Sequence, residues 1–256
     1  MIEIPDVTGR THRFEKPPSR VVSLVPSLTE TLFDLGVGGT VVGVTEYCIF
    51  PSEAAALAGV GGTKNPNVDA IRELAPDLVY VNLEENLARH AEAIAEFASV
   101  FATEPKRVRD VVQLIETLGV IHGASGAATD WNRRLQALIA RTPFASFRFA
   151  VPIWRDPWMW CGGDTYVSDL VSLAGGTNIL AGEKRYPRHA PEEIAALAPD
   201  IVFLPDEPYE FDEADATELR RIARVIGPFP GHLFTWHGTR TVAGLEFLAS
   251  RLDEAE

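Results

Sequence analysis

The sequence predicts an α/β protein of two similar lobes, each a mostly parallel sheet with flanking helices, bridged by one long backbone helix. Three features carry that expectation. The stretch IRELAPDLVYV at 71–81 recurs as IAALAPDIVFL at 194–204, with Ile, Leu, Ala, Pro, Asp and Val at identical places. The offset of 123 residues, from 71 to 194, far exceeds the roughly 20–50 residue period of solenoids and propellers, so it marks two like domains rather than an array. In each copy Pro biases the residue before it away from helix, and the runs DLVYV and DIVFL, apolar without polar alternation, suit strands buried on both faces of a parallel sheet. Between the copies, GASGAATDWNRRLQALIARTPF sets Trp131, Leu135, Leu138 and Ile139 on one helical face before Pro143, which reads as the connecting helix. The expected division is an N-terminal α/β lobe over 1–122, the connecting helix over 123–143 and a C-terminal α/β lobe over 144–256.

The elements follow in order. RVVSLVPSLTETLFDLG opens with a buried strand at 21–25, then a helix whose start carries a capping-box spacing, Ser27 to Glu30, and which Gly36 closes. VVGVTEY gives a second strand at 41–44, with Glu46, Tyr47 and Cys48 just past its carboxyl end. VGGTKNP is a loop into the helix of the first copy, and YVNLEEN carries the following strand into another loop. The second lobe restarts with the strand FRFAVPIW, an aromatic turn RDPWMWCGGDTY and a helix VSDLVSLAGG ended by paired glycines. The second copy, the loop LPDEPYEF, a helix, a strand HLFTW and a C-terminal helix complete the chain. Loops past strand ends and before helix N-termini are where open parallel sheets bind ligands.

Composition narrows the function. With 46% hydrophobic and 23% charged residues, the 256-residue chain has room for two ordinary globular domains. No apolar run reaches the roughly 18–20 residues of a membrane helix, and MIEIPDVTGRTHRFEKPPSR has no apolar core of the signal-peptide type; the expectation is a cytosolic protein or one whose leader has been removed. A net charge of −13 argues against nucleic acid and favours a basic partner. Cys48 and Cys161 are too few for a disulfide scaffold or a zinc knuckle and read as free or structural thiols, although their spacing does not decide whether they meet.

No catalytic motif is present: there is no GxSxG, HExxH, GxxxxGK[ST] or GxGxxG, and GVGGTK at 59–64 lacks the second spacing of a phosphate loop. Of the six histidines, only His232 and His237 lie within five residues of each other, so neither catalytic residues nor a metal site are expected. What gathers in the predicted loops is aromatic: Tyr47, Trp154, Trp158, Trp160, Tyr166, Tyr186 and Trp236, flanked by Arg, Asp, Pro and Gly. Wide faces with a few polar anchors suit a large flat ligand. Two residues before the opening Ile of each copy stands an acid, Asp69 or Glu192. Each complements a helix dipole, and together they form the symmetric pair that a two-fold basic partner would grip.

Taken together, RVVSLVPSLTETLFDLGVGGTVVGVTEY, VGGTKNPNVDAIRELAPDLVYV and PEEIAALAPDIVFL resemble the class III substrate-binding proteins of ABC importers, which bind cobalamin, haem and siderophores, and the cobalamin-binding members most. The resemblance implies a ligand held in an inter-lobe cleft with modest closure, an extracytoplasmic location, and a monomer that delivers a corrinoid such as cobalamin to a permease without catalysis or catalytic cofactor. Carried onto matching positions, it implies ligand contact at Tyr47 and Tyr186, and docking of Asp69 and Glu192 on permease arginines. The full expected contact set is Tyr47, Lys64, Trp158, Tyr186 and Trp236, with Arg188 and His237 as polar or axial contacts. One departure stands out: the family's tryptophan ahead of the first repeat helix is replaced here by Thr63 or Lys64, and WRDPWMW is the expected compensation. Two alternatives stay open. One is haem or a ferric siderophore, with His189 or His237 on iron or Arg188 and Arg240 on carboxylates. The other is a cytosolic metal-dependent enzyme on the same scaffold.

Overall fold

The computed structural model describes residues 1–141 and 146–253. It comprises two compact units: Met1–Pro105 with Val111–Arg134 and His237–Arg240, and Lys106–Asp110 with Leu135–Trp236 and Thr241–Glu256.

In the first unit a hairpin, β1 (Ile2–Pro5) and β2 (Thr11–Phe14), precedes a five-stranded parallel sheet. The Asp6 carboxylate closes the hairpin, accepting from the Thr8 and Arg10 amides and facing buried His12 Nε2 at 3.1 Å. Then come β3 (Val21–Ser23), α1 (Pro26–Asp34), β4 (Val41–Val44), β5 (Ala58–Gly59), α2 (Val68–Glu73), β6 (Leu78–Asn82), α3 (Ala88–Ala95) and β7 (Ser99–Thr103). The sheet order is β5-β4-β3-β6-β7. Its core packs Val22, Leu24, Val79 and Val81 against Ile71, Ile94 and Val100. The expected capping box does not form. Val25 is the N-cap and Pro26, which has no N–H to leave unpaired, takes the first helical position; Ser27 and Glu30 turn instead to His237 and Arg240.

Helices α4 (Val108–Ile121) and α5 (Ser125–Ile139) follow. The latter covers most of the segment read as the connecting helix; Pro143 and the 143/144 boundary lie outside the described residues. Trp131 Nε1 donates to Asp34 O at 3.2 Å, tying α5 to the end of α1.

The second unit holds β8 (Phe147–Ala150), the hairpin β9 (Pro152–Trp154) and β10 (Met159–Trp160), α6 (Tyr166–Leu173), β11 (Gly176–Asn178), α7 (Pro191–Ala196), β12 (Ile201–Pro205), α8 (Glu213–Leu219), β13 (Arg224–Phe229), α9 (His232–Thr235) and α10 (Arg240–Asp253), whose first residue belongs to the first unit. Its parallel sheet runs β11-β8-β12-β13. HLFTW, expected as a strand, contains α9. The edge position beside β12 is already taken by β13, and Pro230-Gly231 turns the chain so that Phe234 buries its ring against Phe203 and Phe229.

The repeated sentence folds into the same device twice. Ala75 and Ala198 both adopt left-handed backbone, φ 46° and 50°, which turns the chain out of α2 and α7 before Pro can clash with the helix. Left-handed alanine is disfavoured by about 1 kcal/mol or more, and in each unit an arginine at the start of the neighbouring strand offsets this by capping the helix carbonyls. Arg20 donates to Leu74 O and Ala75 O; Arg148 donates to Leu197 O and Ala198 O. The repeated Asp completes the lock, Asp77 accepting from the Ser19 and Arg20 amides and Asp200 from the Arg148 amide.

One position of the repeat separates the units. Tyr80 and Phe203 sit at the same place in β6 and β12, both with no exposed surface. Phe203 packs among Phe147, Phe149 and Phe234. Tyr80 carries one additional oxygen, and a buried hydroxyl needs a partner; His122 Nε2 supplies it at 2.9 Å. Burial lowers the His122 pKa to about 4, so the ring is neutral.

Candidate functional site

The residues singled out by the sequence are distributed over both units, and each unit presents its own set.

In the first unit, β4 runs into a tight turn in which the Cys48 amide donates to Thr45 O at 3.0 Å. Cys48 is the anchor: it is 2% exposed, and its Sγ meets the Thr29 and Thr45 hydroxyls, each at 3.2 Å. Burial pushes its thiol pKa up, which makes it a packed, unreactive group. Tyr47, one residue earlier, is 55% exposed, a large aromatic face left in solvent just past the carboxyl end of a parallel strand. Two other loops converge on that edge. Asn86 Nδ2 donates both to Leu24 O at 3.2 Å, beyond β3, and to Thr63 O at 2.9 Å in the glycine loop. Lys64 Nζ donates to Glu84 O beyond β6. The exposed Lys64 ammonium thus stands on a braced loop.

His237 lies on the same unit but is used differently. The ring is 6% exposed; Asn82 Nδ2 approaches Nε2 at 3.3 Å and Ser27 Oγ approaches Nδ1 at 3.0 Å. Asn82 Oδ1 already accepts the Glu84 amide, so its NH2 is the donor to Nε2, and the ring proton sits on Nδ1, donating to Ser27. Burial holds the His237 pKa at about 4. With both nitrogens engaged, this neutral imidazole braces α1 and β6, and axial ligation would require breaking one of those bonds. Arg240 is similarly committed: its guanidinium pairs with both Glu30 oxygens and lies 4.5 Å from the Phe50 ring centroid.

In the second unit, Trp158 is a member of an aromatic stack rather than its tip. Its ring stacks on Trp160 at 5.8 Å and on Phe211 at 5.7 Å, with the Arg155 guanidinium 5.2 Å from its centroid. The stack continues from Phe211 to Tyr209 at 4.7 Å and from Tyr209, edge-on, to Trp154 at 5.4 Å. It therefore runs from Trp160, with no exposed surface, to Trp154, 43% exposed. Arg155 is held by Asp215 and Glu218. Trp154 is one of the aromatics that the sequence gathers in its loops but is absent from the expected contact set; its place as the last residue of β9, ahead of Arg-Asp-Pro, is the signal that sets it apart. Tyr209 in LPDEPYEF was missed.

Tyr186 is half-buried with the Arg185 guanidinium 5.3 Å from its ring, Arg188 is exposed, and Trp236 is half-buried beside His232. His189 Nε2 meets Glu183 Oε1 at 2.8 Å. Among the described residues no group of three His, Cys, Asp or Glu side chains could hold a metal ion, both cysteines are free thiols, and no helix is long and apolar enough to cross a membrane. Asp69 and Glu192 occupy equivalent places, exposed in the first turn of α2 and α7.

The family model described as "Periplasmic binding protein" matches residues 21–220. The chain belongs to the periplasmic binding protein family. Among its relatives within that family, the vitamin B12-binding protein of Vibrio cholerae is 29% identical over 196 residues, covering 73% of this chain and 70% of the relative. An uncharacterized ABC transporter substrate-binding lipoprotein of Bacillus subtilis, YvrC, is 27% identical and covers 98% of this chain and 85% of the relative. The fold is shared with the periplasmic vitamin B12 binding protein BtuF of Vibrio cholerae, TM-score 0.77 at 23% identity, covering 93% of this chain and 98% of that one. A periplasmic heme binding protein from Pseudomonas aeruginosa matches with TM-score 0.78 at 21% identity over 92% of each chain. The class III resemblance and the two-lobe α/β fold expected from the sequence are thereby borne out.

Proposed function

We propose that this periplasmic binding protein captures a flat metal-chelate macrocycle, a corrinoid of the cobalamin type, and delivers it outside the cytoplasm to an ABC permease without chemical turnover. The observation that carries the reading is the pair of solvent-facing aromatics near strand ends, Tyr47 beyond β4 in the first unit and Trp154 at the last position of β9 in the second, each on a braced support. Such faces left in water by a folded protein mark recognition surfaces for apolar ring systems. Lys64, Trp158, Tyr186, Arg188 and Trp236 complete the proposed contact set, Trp158 being linked to Trp154 through the rings of Phe211 and Tyr209. Asp69 and Glu192 are the proposed docking acids for permease arginines.

Haem is the second reading, favoured by the Tyr47 phenol: an exposed tyrosine oxygen can ligate ferric iron, whereas His237 is withdrawn into the first unit. Quenching of tryptophan fluorescence on titration with cyanocobalamin or haemin tests both. Micromolar or tighter saturation by cyanocobalamin, weakened at least ten-fold by Trp154→Ala and by Tyr47→Ala, is the expected result. Tight binding of haemin alone, with an iron spectrum lost in Tyr47→Phe, selects the second reading.

A further inference from the structure

Resting on the reading of Tyr47 as a ligand contact, we infer that Gly62 is a positioning residue for the Tyr47 ring, selected for the space it leaves rather than for its backbone. The two neighbouring glycines of the loop make the distinction. Gly61 has φ +85°, a conformation that a side chain would strain, and it closes a bridge to Pro66. Gly62 lies outside the left-handed region, so alanine fits its backbone; what alanine lacks is room. A Cβ on Gly62 would stand 3.3 Å from Tyr47 Cε2 and 3.1 Å from Glu46 Oε1.

Neither segment can slide away to make that room. The Glu46 amide donates to Gly61 O at 3.1 Å and the Val60 amide to Val44 O at 2.8 Å, zipping the Tyr47 turn to the glycine loop. The turn itself is pinned by buried Cys48 on Thr29 and Thr45. With the backbone held on both sides, an added methyl presses on the Tyr47 ring edge and the Glu46 carboxylate, and each must give by a few tenths of an ångström, which displaces the ring from its seat. The bare backbone of Gly62 thus lets the ring edge rest on the loop while the rest of the ring stays open to a planar ligand.

The test uses the full chain with Gly62→Ala, Tyr47→Ala and the double variant, read by cyanocobalamin titration, thermal midpoint and the 19F resonance of fluorotyrosine at position 47, assigned by its loss in Tyr47→Phe. Gly62→Ala is expected to keep or raise the midpoint, shift the Tyr47 resonance in the ligand-free protein, and weaken binding about three-fold or more. In the Tyr47→Ala background the same substitution should change affinity less than two-fold. An unshifted resonance, or an equal loss of affinity with and without the Tyr47 ring, overturns the inference. Should Tyr47→Ala weaken binding while Gly62→Ala leaves it unchanged, the positioning role alone fails; should Tyr47→Ala change nothing, the reading of Tyr47 as a contact fails with it.

Discussion

Tyr80→Phe removes one oxygen from a fully buried strand position and makes the first unit's repeat resemble the second's. The loss is set by what remains. His122 Nε2 would lose its 2.9 Å partner, and Nδ1 of the same buried ring has none. Leaving a buried polar group unsatisfied costs roughly 1–3 kcal/mol, so about 2 kcal/mol is expected, a fall in Tm of about 4–8 °C for a domain of this size. His122→Leu alone should cost a similar amount by orphaning the phenol. The double variant Tyr80→Phe/His122→Leu should recover most of it, because replacing both partners by apolar groups is nearly neutral. Urea unfolding followed by circular dichroism at pH 7.5 measures all four proteins. Unchanged stability in Tyr80→Phe, or a double variant worse than the sum of the single ones, would refute the reasoning.

Further expectations concern acid, the arginine caps and the proposed docking acids. His122 and His237 have folded pKa values lowered to about 4 from an ordinary 6.5. The unfolded chain therefore binds more protons between those values, and stability is full above pH 6.5 and declines as pH falls toward 4, by up to about 3 kcal/mol per ring; His122→Leu should flatten that slope in a pH series of urea midpoints. Arg20→Ala and Arg148→Ala should each lower stability by about 1 kcal/mol through loss of the same helix cap, and clearly unequal urea midpoints would argue against equivalent devices. Reversal of Asp69 and Glu192 to Lys should abolish ligand-dependent stimulation of permease ATPase activity while leaving ligand affinity intact; a loss of affinity would place these acids at the ligand instead.

The scaffold was legible because its signals are local. Val79 and Val202, and Tyr80 and Phe203, read as buried from the apolar runs DLVYV and DIVFL alone, and all are fully buried. APD announced a helix stop, although the left-handed alanines and their arginine caps were not foreseen, since Arg20 and Arg148 lie about 50 residues before the carbonyls they cap. Ser27 and Glu30 have the spacing of a capping box, but partners more than 200 residues later claim both side chains. HLFTW has strand composition, but β13 already pairs with β12, and the turn at Pro230-Gly231 that seats Phe234 against Phe203 and Phe229 leads into a helix instead. The aromatic loops were legible, but the packing within them was not: Trp158 and Trp154 are four residues apart, and how far each ring is exposed depends on Phe211 and Tyr209, more than 50 residues away in sequence.

The most direct test of ligand capture is co-elution. The purified protein is incubated separately with cyanocobalamin, haemin and a ferric siderophore at micromolar concentration, passed through a desalting column, and its visible spectrum recorded. Corrinoid absorbance travelling with the protein at one equivalent per chain is the predicted result. Protein that emerges colourless from all three incubations would contradict the account.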